Sequence, residues 1–149
     1  MLRKIIGVSV GYIAMTAMIF ITFTLLYLIL GAEGSFQPGN FQASTTWLVL
    51  STVLGLIAAV IGGLVCVIIT KDRKTAIWLA GLVLVLGVIL AIPGLSISEK
   101  EMNKVREGNV DNFEAMQNAE QPPFALILNP IIGAIGVMAG SRLKKNKPV

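Results

Sequence analysis

The chain has 149 residues, of which 55% are hydrophobic and 13% charged, with a formal net charge of +4. Soluble domains carry about 25% charged residues, so there is too little polar surface here to coat a water-soluble globule. The absence of histidine excludes His-ligated haem, zinc or copper and imidazole-based acid–base catalysis.

The apolar residues fall in long blocks, which points to lipid as the solvent. The first block, Ile5 to Leu30, carries no charge and reaches ~39 Å as a helix. A cleaved signal sequence is the rival reading, because Arg3 and Lys4 precede the block. Signal cores run only about 7–15 residues, and this block is longer. Thr46 to Thr70 is the second expected span and Thr75 to Ile92 the third, ending at Pro93-Gly94. Phe124 to Ser141 is the fourth, opened by Pro122 and Pro123, where a missing backbone donor costs little. The single cysteine, Cys66, lies inside the second block and reads as a small hydrophobe rather than a reactive thiol.

Charge placement assigns the orientation. Arg3, Lys4, Lys71, Arg73, Lys74, Arg142, Lys144, Lys145 and Lys147 fall on one side with a single acid, Asp72. The other side holds Lys100, Lys104 and Arg106 with Glu33, Glu99, Glu101, Glu107, Asp111, Glu114 and Glu120. The positive-inside rule then puts both termini in the cytoplasm. The expected fold is an all-α membrane protein, a four-transmembrane-helix bundle forming one domain over residues 1–149 with an N-in/C-in topology. The general look is that of a small bacterial inner-membrane protein.

Two outer loops remain. Residues 31–45, rich in Gly, Pro and Asn, predict turns rather than helix. Phe36, Phe41 and Trp47 are expected to anchor in the headgroup belt. Residues 96–121 carry two capping-box patterns, Ser98-x-x-Glu101 and Asp111-x-x-Glu114. They predict two short amphipathic helices over the outer mouth.

Helices in lipid associate through close packing of small residues. Gly55, Ala59 and Gly63 recur on the second span with Ser51, and Gly133, Gly136 and Gly140 on the fourth with Asn129. The third offers Ala76, Ala80, Gly87 and Ala91. The first shows a larger, hydroxyl-bearing stripe of Ser9, Tyr12, Thr16, Phe23 and Tyr27. The stretches GLIAAVIGG and GAIGVMAG hint at a parallel repeat. In Asn129-Pro130 the proline removes a helix bond, and the amide either hydrogen-bonds another helix, caps a helix starting at Pro130, or binds a polar group. Ser9, Tyr12, Thr16 and Asn129 are the candidate polar site.

No ionisable Asp, Glu, Lys or Arg lies inside a span, which argues against ion-coupled transport and voltage sensing. No phosphate loop or Cys-x-x-Cys is present either. The leading expectation is a non-catalytic accessory or structural subunit, without metal or other cofactor. It would pack through its Gly/Ala faces against itself or other membrane subunits, with lipids and not nucleic acid as its surroundings. The alternative is a passive channel or small-molecule or lipid carrier without ion coupling. A lipid-modifying enzyme is third, with Glu33, Glu99, Glu101 and Glu107 as its available acids and no nucleophile paired with them.

Overall fold

Apolar blocks of this length satisfy their own backbone only as helices, and the computed structural model forms them as helices. It describes residues 1–95, 105–106 and 108–144. Among these residues five helices follow one another: α1 (Leu2–Ser35), α2 (Thr45–Thr70), α3 (Thr75–Leu95), α4 (Asn112–Asn118) and α5 (Pro123–Leu143). Four of them, α1, α2, α3 and α5, are long and apolar enough to cross a membrane. Among the described residues there is no strand, only isolated bridges between the loops at one end.

The boundaries differ from the sequence expectation in informative places. α1 does not stop at Leu30. Gly31 takes a non-helical conformation (φ 63°, ψ −176°), and one further turn runs from Ala32 to Ser35. Only glycine adopts that backbone without penalty, so the helix is broken and resumed rather than ended. α3 continues through Pro93 to Leu95, because proline's fixed φ is itself helical and removes only one bond. α5 begins at Pro123 and passes through Pro130, so Asn129 is not a helix cap. α2 begins at Thr45, with the Ser44 hydroxyl accepting the Trp47 amide at 3.0 Å. Asp111 caps α4 as its spacing suggests, its carboxylate accepting the amides of Phe113 and Glu114 at 2.8 Å. The helix expected at Ser98–Glu101 lies outside the described residues.

Basic side chains gather at one end of the bundle and cap it. Apart from the Lys71 amide, which bonds the Val67 carbonyl at 2.9 Å, the last carbonyls of α2 have no backbone partners in the helix. Arg3 Nε donates to the Ile69 carbonyl at 2.8 Å and Lys144 Nζ to that of Val67 at 3.3 Å. These cations also sit where the helix dipole favours positive charge. Asp72 ties the turn between α2 and α3 to α1. Its carboxylate meets Lys4 Nζ at 3.0 Å and accepts the Lys74 amide at 2.9 Å. The hydrogen bond from Lys4, then that from the Lys74 amide, hold its carboxyl below the ordinary value of 3.8. The N-terminus, this turn and the end of α5 are therefore neighbours.

The core is built around α2. On one side α1 crosses it so closely that a Cβ on Gly11 would sit 2.9 Å from the Gly62 carbonyl, and one on Gly62 equally close to the Gly11 carbonyl. Gly7 is likewise closed off by Thr70. On the other side α5 approaches: Gly63 lies on the Val137 backbone, Gly140 on the Val60 backbone, and Gly136 against Ala59. α3 packs on α5 in turn, with Gly87 against Pro130 and Gly133 against Val83. Leu79, Val67, Cys66 and Val137 fill the space between them and are buried. Ala76, Ala80 and Ala91 of α3 are buried as expected. Gly55 is the exception among the expected packing residues. Nothing lies within 4 Å of a Cβ placed there, because the stripe drifts around the helix and its outer end turns away from α5.

Gly63→Leu is expected to force α2 and α5 apart, at a cost of about 3 kcal/mol or more, the upper end for overpacking because the obstacle is backbone. Gly55→Leu is expected to leave thermal stability in detergent unchanged. Equal melting temperatures for the two variants would show that the α2–α5 contact is placed wrongly.

Candidate functional site

The order of packing leaves an opening. α1 sits on one flank of α2, while α5 and the α3 it carries sit on the other. Among the described residues α1 makes no close backbone approach to α5 and few to α3. In the half of the bundle away from the basic end, α1 and α3 enclose a cleft of about 350 Å³ floored by α5. Tyr12, Met15, Thr16 and Ile19 line it from α1, Val83, Gly87 and Leu90 from α3, and Leu126, Asn129 and Pro130 from α5.

Three of the four expected polar-site residues meet here. Tyr12 and Thr16 border the cleft. Asn129 borders it and donates its amide to Gln121 Oε1 at 3.2 Å. The Asn129 bond is local, to the segment leading into α5, rather than to another spanning helix. Ser9 is not part of the group. It faces a separate groove of about 750 Å³ near the basic end, beside Lys4, Thr75 and Trp78.

A second chamber of about 320 Å³ continues from the first, sharing Thr16, Ile19 and Gln121. Its walls are Phe20, Phe23, Thr24 and Tyr27 of α1 with Trp47 of α2, and its roof is formed by Asn112, Ala115, Met116 and Ala119. Among the described residues neither chamber is lined by Asp, Glu, Lys or Arg. Such walls bind by apolar contact and neutral hydrogen bonds, and volumes of this order fall in the range of small-ligand pockets. Gln121 also borders a third cavity of about 650 Å³ between the opening turns of α2 and α5.

The roof is a small second core. Phe36 and Phe41 are each only 5% exposed and pack with Tyr27, Ala32 and Ala115. This corrects the expectation that they anchor among lipid headgroups. Their rings meet edge to face at 5.5 Å, and Tyr27 reaches both Phe36 and Trp47. Alternating aromatic and turn residues in a loop can point inward as readily as outward, and here the opposing apolar face is supplied by α4. Tyr27 donates its hydroxyl hydrogen bond to the Val110 carbonyl at 2.7 Å.

Arg106 joins the two loops of this roof. Its side chain is 2% exposed and pairs with Glu33 at 3.0 Å. It also donates to the carbonyls of Gly108 at 2.6 Å and Asn40 at 3.3 Å. The backbone adds Arg106 N–H to the Gly39 carbonyl and Ala43 N–H to the Glu120 carbonyl, both at 2.9 Å. Sequence reasoning counted Arg106 only as an outer-side charge; a lone arginine gives no local signal of the carbonyls it will find.

One buried polar atom beside the chamber lacks a partner. Ser35 is 1% exposed, lines the second chamber, and its Oγ makes no hydrogen bond. The expectation grouped the hydroxyls of α1 by helical periodicity, and Ser35 lies beyond the Gly31 break where that periodicity no longer applies. Among the described residues no three Cys, Asp or Glu side chains come together as a metal site would require. Comparison with protein-family models, with characterised proteins and with solved structures finds no match to the chain.

Arg106→Met is expected to loosen the roof without dissolving the bundle, since it removes the pairing of the two loops and leaves the helix contacts intact. Limited proteolysis should cleave within residues 105–121 at least several-fold faster than in the parent. An unchanged cleavage rate would show that Arg106 does not hold the loops together.

Proposed function

We propose that the protein is a non-catalytic, multi-pass membrane protein that admits a membrane-soluble small molecule or lipid into the cleft between α1, α3 and α5, without coupling to an ion gradient. The observation that carries this reading is the cleft itself, open where α1 and α3 part and lined, among the described residues, without Asp, Glu, Lys or Arg. A dry apolar path imposes a cost of at least ~2.5–3.5 kcal/mol on a naked charge, whereas an uncharged amphiphile enters it at little cost.

The accessory-subunit reading loses some of its support. Gly63, Gly136 and Gly140, expected to face a partner, are taken up within the bundle. What still favours it is that Gly55 and Gly81 lie open, with nothing within 4 Å of a Cβ at either position. A neighbouring helix could approach closely there.

Organic extraction of protein purified in mild detergent, followed by mass spectrometry, is expected to yield an uncharged amphiphile at near one per chain. Proteoliposomes holding a pH-sensitive dye should show no protein-dependent proton movement under sodium, potassium or solute gradients. A stoichiometric protein partner with no retained amphiphile would return the reading to an accessory subunit, and coupled proton movement would overturn both.

We further propose that the chain lies in the cytoplasmic membrane with both termini on the cytoplasmic side, supported by the cluster of basic residues at one end of the bundle. On a Cys66→Ala background, Asn109→Cys should react with an impermeant maleimide in intact cells, and Lys74→Cys only after permeabilisation. The opposite pattern would invert the topology.

A further inference from the structure

The basic end of the bundle carries more charge than the fold consumes. Arg3 and Lys4 of α1, Arg142 of α5, Lys144 just past it, and Lys71, Arg73 and Lys74 of the α2–α3 turn gather there. Among the described residues the acid beside them is Asp72. The residues after Lys144 add two lysines and no Asp or Glu. Hydrogen bonds to backbone carbonyls, such as Arg3 and Lys144 make, fix a side chain but leave its charge in place. α3 also begins at this end, and the positive end of its dipole adds to the field.

The groove of about 750 Å³ between α1 and α3 opens into this field. Lys4 lines it, with a side chain 59% exposed. Asp72 meets the Lys4 ammonium at 3.0 Å, and an ammonium has three donors, so donors remain for a second anion. Ser9, ~7.5 Å deeper along α1 at helical rise, is exposed to the same groove. Trp78 lines it from α3 and is 74% exposed. Ile5, Val8 and Leu82 supply the apolar walls. The Thr75 hydroxyl takes no part, because Thr75 is buried and donates to Asp72 at 3.3 Å.

A cation at the rim, a hydroxyl and an indole a turn or so below, and apolar walls beneath them follow the order of groups in a glycerophospholipid: phosphate, ester carbonyl, acyl chain. Tryptophan favours that interfacial depth. Charge then selects among such lipids. A basic residue at the surface attracts an anionic head by ~1 kcal/mol, whereas a zwitterionic head brings its own cation to an end that is already positive. A soluble phosphate ester would leave the apolar walls uncovered.

We infer that this groove binds an anionic glycerophospholipid of phosphatidylglycerol type. Its phosphate meets Lys4, an ester carbonyl accepts the Ser9 hydroxyl, and one chain lies along Val8, Trp78 and Leu82. The site is separate from the cleft between α1, α3 and α5 and does not depend on what enters that cleft.

Trp78 is the reporter. In a Trp47→Phe protein it is the sole tryptophan. The full chain would be placed in phosphatidylcholine nanodiscs with rising mole fractions of a phosphatidylglycerol brominated near the top of its chains, or of an equally brominated phosphatidylcholine. The anionic lipid is expected to quench Trp78 saturably, and the zwitterionic lipid only in proportion to its mole fraction. Ser9→Phe changes no charge but fills the groove, and should remove the saturable component. Lys4→Gln should raise half-saturation about five-fold, the share of one basic residue. Arg142→Gln removes an equal charge at the same end but outside the groove, and should leave half-saturation nearly unchanged.

A Ser9→Phe curve like the parent's, or equal shifts from Lys4→Gln and Arg142→Gln, would mean diffuse attraction to the basic end and overturn the site. Equal quenching by the two lipids would overturn it too. Loss of saturable quenching in an aqueous excess of glycerol 3-phosphate would make a soluble ester the occupant and overturn the lipid assignment. Should Ser9→Phe fail to fold, the comparison of Lys4→Gln with Arg142→Gln decides alone.

Discussion

Everything in this bundle depends on α2 being narrow on two sides at once. Gly62 and Gly63 are adjacent in sequence yet serve different partners, the first admitting the backbone of Gly11 and the second that of Val137. In lipid there is no hydrophobic gain from bringing helices together, so dispersion contacts between close backbones carry the association. With α1 and α5 fixed on opposite flanks, α3 is left to follow α5. The hairpin formed by α2 and α3 is consequently not the tightest pair, although its turn is short. The cleft follows from this geometry: α1 is placed by α2 and α3 by α5, and the two part where neither of these contacts brings them together.

Much of this was legible in the sequence, because it rests on local chemistry. Span lengths follow from uninterrupted apolar runs, the α4 cap from Asp111 and Glu114, and the basic end from the placement of Lys and Arg. What the sequence could not decide was which way each small or aromatic residue faces. Gly55 and Gly63 belong to one stripe, yet one is open and the other pressed on backbone. The Gly7–Gly11 pair was readable as a close-packing motif, and attention to the hydroxyl stripe of α1 passed it over. Ser9 shares helical periodicity with Tyr12 and Thr16, but it faces the groove beside Thr75 and Trp78, while the latter two lie where α5 closes the cleft with Asn129 and Pro130. Phe36 and Phe41 turned inward because α4 offered them a face, a relation spanning roughly seventy residues that no local pattern encodes. The similar glycine stretches of α2 and α5 prove to be the two sides of one contact.

The roof and the bundle are separate structural problems joined at Gly31. Below the break, α1 is a mostly apolar helix whose few polar side chains, Thr22 and Tyr27 among them, find backbone carbonyl partners. Above it, the chain uses turns, bridges and a buried arginine, the devices of a water-facing protein. Gly31 permits the change because it takes a backbone conformation that a residue with a Cβ enters only with strain. Placing the unpaired Ser35 hydroxyl just past this break puts a polar group at the edge of an apolar chamber. A continuous helix would have carried it elsewhere.

The turn between α2 and α3 shows a different compromise. Lys71 ends α2 at φ 57°, the left-handed conformation for which helix ends usually employ glycine or asparagine. A lysine there bears roughly 1–2 kcal/mol of backbone strain. On the orientation proposed above, that charge is read during insertion, before the turn has any dihedral angles to satisfy. On that orientation, Lys71 would serve how the chain enters the membrane at the expense of how comfortably its turn rests once folded. A protein of this kind carries a record of its own biogenesis in the conformations it tolerates once folded.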